Sequence, residues 1–161
     1  ALRKMTRANF VSGIGGDNTP TWLVTKNADQ TISNTTNTVV TWQTEINDSD
    51  TAFASNKFTV PSGKGGLYFL NAQIRFNSVA NASEFQLAFK KNGGYEFNDG
   101  TQNNYIVTNT LTGAAGSPYF QNNAIVNLAA GDYIEVAVYT NDGPKDLNKT
   151  YCRFSGYKLI T

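Results

Sequence analysis

The clearest alternation of apolar and polar positions in the chain runs from Leu67 to Asn77. Tyr68, Leu70, Ala72, Ile74 and Phe76 fall on one side of an extended backbone, and Phe69, Asn71, Gln73 and Arg75 on the other. Side chains alternate across a strand, so one face suits burial and the other is mixed. The preceding Pro61-Ser62-Gly63-Lys64-Gly65-Gly66 is a loop that no helix would cross. The spacing predicts a central strand of an antiparallel, two-sheet domain.

Outward from that strand the same signal recurs in short pieces. Val39 to Trp42, Glu45-Ile46 and the extended piece bracketed by Phe53 and Phe58 precede it, with a turn expected at Asn47–Asp50. Phe85 to Lys90 follows, stopped by Asn92-Gly93-Gly94, the strongest short-range hairpin signal. Tyr105–Val107, Tyr119–Leu128, Tyr133–Tyr139 and Tyr151–Ile160 complete the set, the third entered through a tight Gly131-Asp132 turn. Some eight to ten strands and no helix predict an all-β sandwich, jelly roll or barrel. Residues 1–37 differ: a basic start at Arg3, Lys4 and Arg7, then a Gly-rich loop, then Trp22-Leu23-Val24, which could form a short strand, and a polar, turn-rich run. With so little apolar surface this segment reads as a frayed terminus, or as an arm that orders only against a partner. The expected division is thus an arm over 1–37 and one sandwich over 38–161.

Composition changes this picture little. A chain of 161 residues suffices for one domain without disulfides or metal, and a net charge of +1 offers no electrostatic reason to bind polyanions. The single cysteine, Cys152, excludes an intrachain disulfide. No apolar run approaches the ~20 residues of a membrane span. Ala1, a small residue, is of the kind exposed when an initiator methionine is trimmed, consistent with a complete protein made in a cytosol or with an arbitrary boundary. Abundant Asn, Thr and Gly beside sparse charge give a surface polar through amides and hydroxyls.

Candidate chemistry is thin. The chain has no histidine, which removes Ser-His-Asp and Cys-His systems and His-containing zinc sites. Cys152 in an apolar strand reads as a buried, inert thiol. Asp48 with Asp50, and Asp142 with Asp146, could hold a hard cation, but turn-capping explains the same residues. Four Asn-x-Ser/Thr triplets, at Asn34, Asn47, Asn81 and Asn148, are what so Asn/Thr-rich a chain produces by chance. Lys90-Lys91 and the Arg3/Lys4/Arg7 cluster read as solvated charge, giving no support for nucleic-acid binding. Neither an enzymatic activity nor a cofactor is expected.

The order Trp42, Asp48, Phe53, Phe58, Gly66, Tyr68 resembles the aromatic signature of the complement C-one-q globular-head family, whose jelly roll is shared with tumour necrosis factor. Phe58 comes two positions early, and Leu70 stands where the family has Phe. Val126–Val136 looks like its penultimate strands, and Phe154-Ser155-Gly156-Tyr157-Lys158-Leu159 like its closing strand. The resemblance covers residues 38–161 and implies a ten-strand jelly roll assembled as a homotrimer. Its aromatic and aliphatic interface would draw on Tyr68, Tyr133, Tyr139, Tyr157 and Leu159. Disulfide-free, Asn/Thr/Gly-rich trimers of this kind look like those on bacteriophage virions. The expected function is therefore a trimeric capsid-decorating (cement) protein on the virion surface, with the major capsid protein or another virion protein as partner. Arg3, Lys4, Arg7, Phe10 and Trp22 would form its docking arm. The alternative is a recognition module, either a receptor-binding tail-fibre tip or an extracellular head. There, loops carrying Tyr95, Phe97 and Tyr119 would contact a host glycan or protein.

Overall fold

The computed structural model describes residues 18–80, 83–95, 106–110 and 116–159, of which 106–109 are described by their backbone alone. Strands follow one another almost without interruption: β1 (Thr21–Thr25), β2 (Gln30–Ile32), β3 (Thr38–Val39), β4 (Thr44–Asp48), β5 (Phe53–Ala54), β6 (Lys57–Thr59) and β7 (Gly66–Arg75). Then come β8 (Glu84–Lys91), β9 (Ile106–Thr110), β10 (Tyr119–Leu128), β11 (Tyr133–Thr140), β12 (Lys145–Leu147) and β13 (Arg153–Lys158). Among the described residues one 3₁₀ turn, Lys149–Tyr151, is capped by the Asn148 side chain, which accepts from the Thr150 amide at 3.0 Å.

Two antiparallel sheets face one another. The first runs β10-β7-β13-β1-β4; the second runs β5-β6-β11-β8-β9, with β3 also paired to β11; β2 and β12 form a separate ribbon. This is a jelly-roll β-sandwich. The expected central strand is β7, flanked by β10 along all ten residues and by β13. The count exceeds eight to ten because β1, β2 and β12 add to it and the piece bracketed by Phe53 and Phe58 divides at a left-handed turn through Ser55 and Asn56.

The boundary placed at residue 37 is too late. β1 pairs with both β13 and β4, and Trp22 at its centre is 2% exposed. The Trp22 ring stacks on Phe58 with centroids 3.7 Å apart and planes 7° from parallel, and meets Phe154 edge-on at 5.5 Å. The short strand expected over Trp22-Leu23-Val24 is thus part of the sandwich, although only Trp22 and Val24 of its five residues point inward. Two apolar side chains suffice when the rest of the pocket comes from distant segments. Burying a ring of this size is worth about 3 kcal/mol or more.

Gly156 exists for the same ring. Its Cβ position is taken by the Trp22 benzenoid carbons, and a side chain would also lie 2.7 Å from the Phe69 carbonyl oxygen. The glycine thus serves a close approach inside the protomer. Trp42, Phe53 and Phe89 also gather around Phe154, at 6.1, 6.0 and 6.0 Å, so the aromatic signature is a packing set. A second aromatic group, Phe76, Phe85 and Phe120, fills the other end of the core, with centroids 4.9–6.1 Å apart.

Turn chemistry matches the sequence in detail. Asn92 and Gly93 both have positive φ, 52° and 81°, and Lys91 and Gly94 exchange backbone hydrogen bonds of 2.9 Å. That is the mirror-image hairpin turn that an Asn-Gly pair favours.

Candidate functional site

Outward-facing side chains of the first sheet stand in register across β10, β7 and β13. Asn127 lies beside Leu67. Next come Ile125, Phe69 and Tyr157; then Asn123, Asn71 and Ser155; then Gln121, Gln73 and Arg153; and finally Tyr119 beside Arg75. One end is therefore apolar, the middle is amide, and the far end is aromatic and basic. From Phe69 to Arg75 the strand covers about 20 Å. Of the six large apolar side chains most exposed among the described residues, Leu67, Tyr119, Ile125 and Tyr157 are on this face; Tyr151 borders it, and Ile46 is on the edge strand β4. Phe69 and Tyr157 touch, with ring centroids 5.4 Å apart.

The outer face of the second sheet is built differently. Glu135 on β11 is registered between Lys90 on β8 and Lys57 on β6. Lys57 Nζ lies 4.3 Å from the centroid of the Tyr133 ring. At its end Asp132 accepts from Lys91 at 2.9 Å and from the Asn92 amide at 2.8 Å. It also accepts from the Ala129 backbone at 2.8 Å. Burial alone would push this carboxyl up, but those donors, led by Asn92 and Lys91, outweigh it and hold it below the ordinary Asp value.

The five residues expected at a subunit interface separate accordingly. Tyr157 and Leu159 belong to the apolar end of the first sheet, where the Leu159 amide donates to the Leu67 carbonyl at 2.8 Å. Tyr133 and Tyr139 are on the second sheet, across the ~10 Å thickness of the sandwich. Tyr68 is no surface residue at all: it is fully buried, and its hydroxyl donates to the Lys64 carbonyl at 2.6 Å. Its place in the alternation predicted an inward ring, and inward here means the core of one protomer. Burial, with Asp50 adding to it, pushes its hydroxyl up to about 12.

Among the expected docking residues, Arg3, Lys4, Arg7 and Phe10 lie outside the described residues, and Trp22 is core. Of the candidate ligand residues, Phe97 lies outside them. Tyr95 sits beside Lys90, whose Nζ is 5.4 Å from its ring, and burial raises its hydroxyl. Tyr119 stands on the first sheet instead, so these two do not share a site. It pairs with Tyr151, which sequence reasoning passed over, with centroids 5.5 Å apart and planes at 81°.

The carboxylates shape turns. Asp48 accepts from the Ala52 and Phe53 amides at 3.0 and 2.8 Å, and Asp142 from the Ala80 amide at 2.5 Å. Asp142 also pairs with Lys145, and Asp146 accepts from the Thr31 hydroxyl at 2.6 Å. Cys152 is buried, which pushes its thiol up and keeps it protonated and unreactive at neutral pH. Buried Lys26 has its ammonium held by Gln30 Oε1 and by the carbonyl and hydroxyl of Thr41, at 2.7–3.1 Å; desolvation lowers its pKa. It joins β1 to the segment before β4, a structural role.

No family model matches this sequence, and no curated protein matches it. Solved structures do. The globular domain of zebrafish complement 1qA protein is similar at 18% identity over 89% of this chain and 98% of that one, with a TM-score of 0.60. Murine APRIL is similar at 17% identity over 86% and 98%, TM-score 0.58. An Eiger TNF from S. frugiperda is similar at 13% identity over 89% and 94%, TM-score 0.58. At these identities the likeness defines the fold: this chain has the jelly roll of complement 1q heads and TNF-like proteins.

Proposed function

We propose that the protein is a non-enzymatic binding module that works as a homotrimer closed through the outer face of its first sheet. The observation carrying this is the continuous apolar row Ile125–Phe69–Tyr157, flanked by Leu67 and Leu159, on a face whose β7, β10 and β13 contain no acidic residue. Monomers rarely leave such a row in water. An amide-rich middle suits an interface that must also be soluble during assembly.

The chain enters the sandwich at that same apolar end, where the Lys64 ammonium donates to the Thr19 hydroxyl at 2.9 Å and the Lys158 amide to the Pro20 carbonyl at 3.1 Å. In a trimer, three basic segments carrying Arg3, Lys4 and Arg7 would leave from one end. That arrangement suits a decorating protein gripping a phage shell at a threefold position, displayed on the virion surface. Replacing Arg3, Lys4 and Arg7 together by Glu tests it. Capsid co-sedimentation should be lost while the trimer persists; undiminished attachment would overturn the capsid reading.

A second reading, a recognition head acting outside the cell, is favoured by the Arg75, Tyr119 and Tyr151 group at the opposite end of the same face.

A further inference from the structure

Arg75 lies against two rings at once, its guanidinium carbon 4.6 Å from the Tyr151 centroid and 5.3 Å from that of Tyr119. Its Nε is buried and makes no hydrogen bond among the described residues. One row further along, Arg153 donates to Gln73 Oε1 at 2.7 Å. Neither arginine has a carboxylate within ion-pair distance among the described residues, whereas Lys64, Lys91 and Lys145 each do. Tyr151, on which Arg75 packs, forms one wall of a cleft of about 230 Å³, completed by Thr25, Gln73, Thr150, Cys152 and Arg153.

We infer that this cleft is a binding site for a carboxylate-bearing sugar. Arg153 lines the cleft on a strand without acidic residues, with the Arg75 charge nearby on the Tyr151 ring; already oriented by Gln73, Arg153 can engage a carboxylate through its remaining N–H groups. The 40%-exposed Tyr151 ring offers a flat apolar surface to the C–H face of a pyranose. Gln73, Thr25 and Thr150 supply neutral donors and acceptors for ring hydroxyls. The cleft is smaller than the roughly 300–1,000 Å³ of drug-sized pockets and has room for one ring. An acidic peptide fits less well. β7 and β13 are each paired on both sides, so no free strand edge exists there for an extended chain to join. A bare phosphate lacks the nest of backbone N–H groups it usually finds.

The inference rests on one protomer and gives the recognition reading a site. It is tested separately from trimerisation, because the apolar row at Phe69 lies about 13 Å from Gln73 along β7. The test is an amide NMR titration of the full chain at low salt with D-glucuronate, D-glucose and sodium sulfate in parallel. D-glucuronate should give saturable shifts at Gln73 and Thr150–Arg153. Arg153→Gln should weaken its binding at least tenfold and Tyr151→Ala several-fold, each with an otherwise native spectrum. D-glucose should produce no saturable shift, and sulfate only weak shifts. Three results would overturn the proposal: no saturation by glucuronate at tens of millimolar, unchanged affinity in Arg153→Gln, or sulfate binding as tightly as glucuronate and indifferent to Tyr151→Ala. The last would make the cleft a plain anion site.

Discussion

On the outer face of the first sheet, Ile125, Phe69 and Tyr157 stand side by side with no charge among them; on that of the second, Glu135 stands between Lys57 and Lys90. Both faces belong to one sandwich and share one core, so folding alone does not require them to differ. Charged side chains opposite one another keep a sheet face solvated and discourage association. An uncharged row of Ile, Phe and Tyr does the reverse. What distinguishes the faces is thus the identity of the outward residues, since the alternation that makes each strand is the same in both.

The contrast holds only while the core keeps the two faces apart, and the largest effect is expected there. Trp22→Ala should cost about 3–5 kcal/mol by leaving a cavity against Phe58 and Phe154. Gly156→Ala should cost roughly 1–3 kcal/mol or more, because the new methyl collides with the same ring and with backbone. Urea unfolding measures both. A loss under 1 kcal/mol for Trp22→Ala would mean that β1 is not part of the core.

Next in size is the effect of placing charge on each face. Ile125→Lys would bring like charges together at a shared contact, which costs on the order of several kcal/mol of association. Gln86→Lys on the second sheet should leave the assembly unchanged. Analytical ultracentrifugation of the two variants compares the faces directly. Equal effects would dissolve the distinction.

Smaller changes sharpen it. Tyr68→Phe removes a buried hydroxyl but leaves the Lys64 carbonyl without that donor, so a loss of about 1 kcal/mol is expected in unfolding, with assembly unaffected. A dissociated Tyr68→Phe would return this residue to the interface. The smallest effect concerns Asp132 at the end of the second sheet. Its folded pKa is depressed, so its contribution is present above the unfolded value near 3.8 and lost as pH falls through the lower folded value. Partly screened by solvent, it should amount to about 0.5–1 kcal/mol. Asp132→Asn should remove that part of the acid slope; an unchanged slope would mean the carboxylate is not engaged as described.

Much of the fold was legible because β7 and β11 repeat apolar residues at every second position, and β10 does so except at Asn122. The Asn92-Gly93 and Gly131-Asp132 turns carry their own backbone chemistry and were equally plain. Trp22-Leu23-Val24 read as a short strand but not as part of the sandwich, since its partner β13 comes from the other end of the chain. Nor does periodicity reveal which sheet a tyrosine belongs to. Tyr68, Tyr133 and Tyr157 look alike in sequence and lie in the core, on the charged face and on the apolar face. Arg75 and Tyr119 are neighbours only because β7 and β10 pair over their full length; Tyr151 joins them from a turn that no pattern marks.

The central claim is that the apolar row of the first sheet is covered by two further copies of the same chain. Sedimentation equilibrium of the full chain at about 10 μM in physiological salt addresses it directly. The account predicts a single species at three times the 17.5 kDa chain mass, reduced to one chain mass by Ile125→Lys. A stable species at 17.5 kDa for the unaltered chain would contradict it.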